Sequence, residues 1–278
     1  MKPLSLQITG KVLRHTILAA TTLFALLPFV WMLSLSIKPQ DEIFQTSLHF
    51  FPGSLAGLDN YRLVFANAPM LRFLLNGVFV CGAIFALQML ICIPCAYALA
   101  KLRFRGKDAL FSTVLIALLI PPQVLSIPHF ILLHYAHLLD SYGALILPWM
   151  FSAFGVFLLR QFFRTIPDEL IQAARLDGLS EAEIIWRIMI PMSAPAIAAF
   201  GIFSVVSHWN DLFWPLIALR SEQLSTPALG ILLFRDDEFG QQFGPLMAAT
   251  AIIVAPLILI FLLAQRRFID GLTIHTMK

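Results

Sequence analysis

Six long stretches of this chain carry no Asp, Glu, Lys or Arg. They run between Arg14 and Lys38, Arg72 and Lys101, Asp108 and Asp140, Asp140 and Arg160, Arg187 and Asp211, and Glu238 and Arg266. Each is about as long as the ~20 residues a helix needs to cross a bilayer. The fifth continues past Asp211 towards Leu219. Only 13% of the 278 residues are charged and 59% are hydrophobic, where a soluble domain carries about 25% charged residues. The deficit runs along the whole chain, with a mean hydropathy of +0.83. The sequence therefore predicts an all-α integral membrane protein with six transmembrane helices, not a soluble domain with an anchor.

Six spans put both termini on one side, and the distribution of Lys and Arg decides which. One set of connecting segments holds Lys2, Lys11 and Arg14, then Lys101, Arg103, Arg105 and Lys107, then Arg160, Arg164, Arg175 and Arg187, then Arg266, Arg267 and Lys278. The alternate set holds only Lys38, Arg62, Arg72, Arg220 and Arg235. The richer side is expected to be cytoplasmic. The net charge of +3 then reflects topology and gives no reason to expect nucleic acid. The first stretch, His15 to Ile37, is not followed by a small-x-small cleavage site and reads as a retained helix. Residues 1–70 form a first span plus an external loop, and 71–278 a core of five spans.

The three cysteines, Cys81, Cys92 and Cys95, fall in the second span, where a packed apolar role outweighs redox chemistry despite the CxxC spacing. The outer segment from Lys38 to Met70 is rich in Pro and Gly, with Phe44, Phe50, Phe51, Tyr61 and Phe65 to pack on the membrane face. A second outer segment, Arg220 to Phe243, carries Glu222, Asp236, Asp237 and Glu238. Both suit plain connectors or a landing surface for an external protein.

The inner segment 165–191 is polar and has helical character. Pro167 suits a helix start, and Asp168 and Glu169 follow where the helix dipole favours acids. Leu170, Ala173, Ala174 and Asp177 keep helical spacing, and Gly178 is a stop of the left-handed kind. Ser180 and Glu183 form an S-x-x-E capping box for a second helix carrying Ile184, Ile185 and Ile188 and ending at Pro191. Ala173 and Ala174 leave one face thin enough for a partner backbone to approach. The pattern alone also fits an amphipathic helix lying on the bilayer surface.

That segment resembles the EAA loop of ABC-importer permeases, the inner-membrane subunits of binding-protein-dependent transport systems. The resemblance rests on Gln172-Ala173-Ala174, Gly178 and Ile188-Met189-Ile190-Pro191, preceded by Ile166-Pro167-Asp168-Glu169-Leu170. Further pieces are similar to the carbohydrate-permease branch: Asp59-Asn60-Tyr61, Asn76, Ala96-Tyr97-Ala98-Leu99, Phe104-Arg105-Gly106, Leu119-Ile120-Pro121, Ile127-Pro128, Trp209-Asn210-Asp211-Leu212-Phe213-Trp214-Pro215-Leu216 and Gly271-Leu272-Thr273. Two features depart from the family. Gln172 stands where its EAA glutamate usually lies, which forfeits a charge-assisted contact. The ending Ile274-His275-Thr276-Met277-Lys278 lacks the branch's second glycine.

The resemblance implies a cytoplasmic coupling helix between spans four and five, built on Asp168, Glu169, Gln172, Ala173, Ala174, Asp177, Gly178 and Pro191. It implies a bacterial inner-membrane location, a heterodimer with a second permease, a cytoplasmic ATPase dimer and an external solute-binding protein. ATP and Mg would bind the partner ATPase, because this chain carries no phosphate-loop motif and no catalytic signature; it is not expected to be an enzyme. Transport would proceed by alternating access.

Intramembrane polar residues default to functional readings. The densest set, Ser204, Ser207, His208, Asn210 and Asp211, lies in span five, with Trp209 and Trp214 beside it. Asp211 reads as a hydrogen-bond acceptor on a solute pathway, or as a clamp to another helix. Trp209 suits stacking on a sugar, while Trp214 reads better as an interfacial belt residue. Gln88, Gln123 and His129 are further pathway candidates, although Gln88 also suits a bond between helices and His129 follows a proline that marks a helix break. The spans offer almost no cation, which leans towards a neutral solute. The rival reading, an ion-coupled secondary transporter acting alone, would use Asp211 as its ion site and would commonly show an internal repeat.

Overall fold

The computed structural model describes residues 4–43, 53, 55–235 and 243–273. The outer aromatics Phe44, Phe50 and Phe51, the acids Asp236, Asp237 and Glu238, and the C-terminal Ile274–Lys278 of the sequence analysis lie outside them. Every regular element among the described residues is helical. Three helices are long and apolar enough to cross a membrane, and three bent helix pairs pass the same test as pairs, so the fold carries three to six spans.

The chain divides into two compact units, residues 1–68 with 231–254, and 69–230 with 255–278. The first unit contains α1 (Leu4–Ser36) and α2 (Asp59–Asn67). Along Lys11–Ser36 the most apolar stretch of α1 buries no side chain within the protein, and Phe24 is 81% exposed. A helix apolar on all sides and unpacked by its own chain has the character of a membrane span. Its end is closed by Asn60, whose Nδ2 donates to the carbonyls of Ser36 at 3.1 Å and Lys38 at 2.9 Å. Tyr61 shares a 2.9 Å hydrogen bond with the Ser36 hydroxyl. The Asp59-Asn60-Tyr61 tripeptide is thus a clamp on the helix terminus.

The second unit is organised around α3 (Met70–Lys101). Its buried residues Phe73, Asn76, Gly77, Val80, Cys81, Ile84, Gln88, Cys92, Ala96 and Tyr97 recur every three or four positions, the spacing of one helix face. Cys81 and Cys92 are buried on that face and, with Cys95, are free thiols. Around α3 stand α4 (Lys107–Ala117), α5 (Pro122–Tyr135), α6 (Tyr142–Trp149) and α7 (Ala153–Phe163). Then come α8 (Asp168–Leu176), α9 (Glu181–Met192), α10 (Ala194–Trp209) and α11 (Phe213–Ala218). The last helix, α12 (Phe243–Thr273), runs through both units.

Three of the charge-free stretches are not single helices. The third is broken between α4 and α5 with a 96° bend, the fourth between α6 and α7 by 43°, and α9 meets α10 at 79°. The break in the third falls at residues 118–121, just ahead of Pro122, and not at Pro128, which lies inside the helical segment Ser126–Tyr135. Paired prolines at 121 and 122 explain the difference, since neither supplies a backbone N–H and the residue before proline avoids helical geometry. Nor does Pro191 end α9. The helix widens into one π turn over Ile185–Met189 and passes through Pro191 to Met192. Wider turns of this kind relieve a helix where a proline deprives an upstream carbonyl of its donor.

At the Met70 end of α3 the buried Asn76 donates to the carbonyls of Gln223 and Ser225 and accepts from the Tyr142 hydroxyl at 2.7 Å. On the same side Asp140 ties the α5–α6 connection to the segment after α11. It accepts from the backbone N–H groups of Arg220 at 3.0 Å and Ser221 at 2.8 Å and from the Ser221 hydroxyl. These donors, the hydroxyl foremost, hold its carboxyl below the usual range.

Gly77 sits where α3 meets Pro227 and Trp209; a Cβ there would lie 2.6 Å from the Pro227 ring. Gly77→Ala is expected to destabilise the protein by about 1–3 kcal/mol through overpacking, read as a lower melting temperature in detergent; an unchanged melt would refute the close contact. Because the folded-state pKa of Asp140 is depressed, its contribution is present above the unfolded carboxyl's value of ~3.9 and lost as pH falls through the native value. Asp140→Asn should therefore melt below wild type at pH 7, with the gap closing as the pH falls below about 4. A gap constant across that range would show that the carboxylate is not the tie.

Candidate functional site

Two sites emerge in the second unit, one at each end of a connected core. The first is a cavity of about 200 Å³ lined by Pro122, Gln123, Ser126, His129, Trp149, Ser207, His208, Asp211, Phe213 and Trp214. The first turns of α5 supply Pro122, Gln123 and Ser126, the end of α6 supplies Trp149, and the end of α10 supplies Ser207 and His208. Asp211 follows in the turn to α11, where its Oδ1 accepts the Trp214 N–H at 3.3 Å.

A buried polar network holds these groups in place. The Ser204 hydroxyl donates to Gln88 Oε1 at 2.6 Å, and Gln88 Nε2 donates to the Trp149 carbonyl at 2.9 Å. His208 Nδ1 lies 2.7 Å from the Ser204 carbonyl. A carbonyl can only accept, so Nδ1 carries a proton in this contact. The His129 ring lies edge-on to Trp149 and to Trp214, with centroids 6.1 and 5.9 Å apart, and its Nδ1 is buried without a hydrogen-bond partner. Trp149 also lies 5.7 Å from His208. The cavity thus combines aromatic faces with hydroxyl, amide, imidazole and carboxylate groups, and no Lys or Arg lines it.

Of the pathway residues read from the sequence, the fold brings Gln123, His208 and Asp211 together, with His129 and Ser207. It separates three others. Gln88 is 3% exposed and spends its amide on tying α3, α6 and α10 together. Asn210 turns back to the Val206 carbonyl at 2.8 Å. Trp209 is 1% exposed and faces the core beside Gly77, so it has no face free for a solute. Trp214 reverses its expectation as well. It is buried, with its indole N–H donated to the Ala144 carbonyl at 2.9 Å, not placed in an interfacial belt. Trp149 went unnoticed in the sequence; its only signal was Pro148 beside it, in the middle of an apolar window.

The second site lies at the Lys101 end of α3. Helix α8 begins after Pro167 with Asp168 and Glu169 in its first turn and ends at Leu176, two residues ahead of Gly178, whose φ is +86°. Ser180 and Glu183 complete a capping box on α9, with both reciprocal bonds present. The two helices are seated on the core by Ile171, Ala174, Ile184 and Met189, which pack with Ala96, Tyr97, Leu99, Leu159 and Phe163. Ala174 is therefore committed inward at 6% exposure, and only Ala173 of the pair stays on the open face. Glu169, Gln172, Ala173, Asp177 and Gly178 are exposed with it, and Leu176 is 89% exposed. With exposed Ala173 and Leu170 on the same helix, so open an apolar side chain leaves bare surface that the described chain does not cover.

Ionic contacts fix the seat. Lys101 Nζ donates to the Ile166 carbonyl and to Asp168 Oδ1, both at 2.5 Å. Those contacts, the lysine hydrogen bond foremost, hold the Asp168 carboxyl below its ordinary range. Arg175 contacts Glu181 through Nε at 2.8 Å and Nη2 at 3.2 Å, and this lowers the Glu181 carboxyl's pKa and raises that of the guanidinium. Beside α8, a polar concavity is lined by Lys101, Leu102, Arg103, Asp168, Ile171, Gln172 and Arg175.

Comparison with known proteins agrees with the fold. Residues 89–273 match the family described as binding-protein-dependent transport system inner membrane component. The chain is 34% identical over 257 residues to the arabinooligosaccharides transport system permease protein AraQ of Halalkalibacterium halodurans, covering 91% of each. It is 31% identical over 265 residues to the sn-glycerol-3-phosphate transport system permease protein UgpE of Salmonella typhimurium, covering 93% of this chain and 94% of that one. A chain from the crystal structure of a bacterial ABC transporter involved in the import of the acidic polysaccharide alginate shares the fold. It has a TM-score of 0.81 and 23% identity and covers 96% of this chain and 99% of that one. The chain belongs to the family of inner membrane components of binding-protein-dependent transport systems, as a multi-pass permease subunit of the sugar-transporter kind.

Proposed function

We propose that this permease works as one half of a heterodimeric importer, with six spans, both termini and the 165–191 loop on the cytoplasmic side. Its α8 docks into a groove of a partner ATPase, which holds ATP and Mg. The observation that carries this reading is the open face of α8, where Leu176 stands exposed beside Glu169, Gln172 and Ala173 while the opposite face is sealed onto α3. Closure of the ATPase pair would draw the two loops together, and the bundle would open its cavity towards an external solute-binding protein. Gln172 would contribute a neutral hydrogen bond, leaving Leu176 as the anchor of the contact.

The solute passes the cavity built by Gln123, Ser126, His129, Trp149, His208 and Asp211. Aromatic faces with interspersed hydrogen-bonding groups suit a hydroxylated ring. Asp211 and the lack of a lining Lys or Arg disfavour an anion on this half, so the solute is an uncharged sugar or polyol. The relative named for arabinooligosaccharides fits that chemistry better than the one named for sn-glycerol-3-phosphate.

Purifying the tagged chain from its own membranes tests the assembly. A second permease and an ATPase with a phosphate-binding loop are expected to accompany it; a single-chain species that transports after reconstitution would overturn the proposal. Gly178→Pro tests the loop. Proline cannot adopt the φ of +86° and would remove the N–H donated to the Arg175 carbonyl. Membrane insertion should persist, and uptake per ATP hydrolysed should fall roughly tenfold or more. Undiminished uptake would show that the turn transmits nothing.

A further inference from the structure

The inner end of α3 makes a polar contact to the loop in the middle of an apolar seat. Tyr97 is 1% exposed and packs with Phe163, Ile171, Ala174 and Ile184. Its phenol nevertheless donates to Glu181 Oε2 at 2.5 Å. Glu181 is the first residue of α9, and its carboxylate is also gripped by Arg175 from the last turn of α8. A single hydroxyl on α3 is therefore bonded to a carboxylate shared by both arms of the loop. Lys101, one turn further on, reaches only the start of α8 through Ile166 and Asp168.

Apolar burial holds the loop against α3 without direction, so it permits sliding. The Arg175–Glu181 pair is partly exposed, and such pairs by themselves fix little. A buried hydroxyl on a carboxylate is charge-assisted and directional, and fixes one register. We infer that Tyr97 is a positioning residue for coupling: its hydrogen bond to the shared carboxylate of Glu181 locks the α8–α9 loop in register on α3, so that displacement of the loop moves the spanning helix. This rests on the docking role proposed above for α8.

The test needs no knowledge of the solute. Ser207→Cys places a reporter in the cavity, in a background of C81A, C92A and C95A. Right-side-out membrane vesicles containing the whole transporter are loaded with ATP and vanadate, and labelling by a membrane-impermeant maleimide is followed. Wild type should gain labelling on trapping. Tyr97→Phe, which keeps the packing, should retain the bound ATPase and its hydrolysis but lose roughly fivefold or more of that gain. Glu181→Ala should behave likewise, and Glu181→Gln, which keeps an acceptor for the phenol, should be rescued. Labelling of Tyr97→Phe equal to wild type overturns the inference. If Tyr97→Phe fails to retain the ATPase, the Glu181 pair decides, and equal losses in Gln and Ala overturn it. No trapping-dependent change in wild type would remove the docking reading and this inference together.

Discussion

Burial of one face of α3 is the constraint on which the rest of the second unit depends. In a bilayer the lipid competes with protein for apolar contact, so helices associate through close packing and hydrogen bonds more than through solvent exclusion. α3 supplies both along its length. Gly77 admits Trp209 and Pro227, Gln88 ties α6 to α10, and Tyr97 and Lys101 secure the loop. The cavity and the loop are therefore mounted on the same helix, which gives movement at one site a covalently continuous route to the other.

Much of this was legible in the sequence, and the reasons differ by element. Charge-free stretches located the apolar segments because ionised groups are costly in hydrocarbon. The loop was readable in detail because it is polar and mostly exposed, so its caps and turns obey local rules. Asp168 at the helix start, Gly178 at positive φ and the Ser180–Glu183 box all appear as expected. Interior geometry was harder. A helix that is hydrophobic all round carries no amphipathic signal, so the buried face of α3 is marked only by its rare polar members, Asn76 and Gln88.

Aromatic residues misled for a related reason. Tryptophan suits an interfacial belt, a solute face or a core equally well by composition. The backbone decides among them, and the 96° break between α4 and α5 and the turn after Asn210 cannot be read from hydropathy. Trp209 and Trp214 accordingly both depart from their expected places, one sealed in the core and the other buried at the edge of a cavity. Family membership sets aside the rival reading of a self-sufficient, ion-coupled carrier, and Asp211 serves as a cap on Trp214 as well as a cavity wall.

The bend at Ser193 has a mechanical consequence. α9 and α10 meet at 79°, so they form a crank whose short arm is docked at the loop and whose long arm ends beside His208. At 1.5 Å per residue the arms measure about 18 and 24 Å. If the corner holds its angle, a push on the short arm reappears at the cavity turned through nearly a right angle and enlarged by roughly a third. A small sideways step at the loop is thereby converted into a larger one at the far end of α10, without any part of the chain having to stretch.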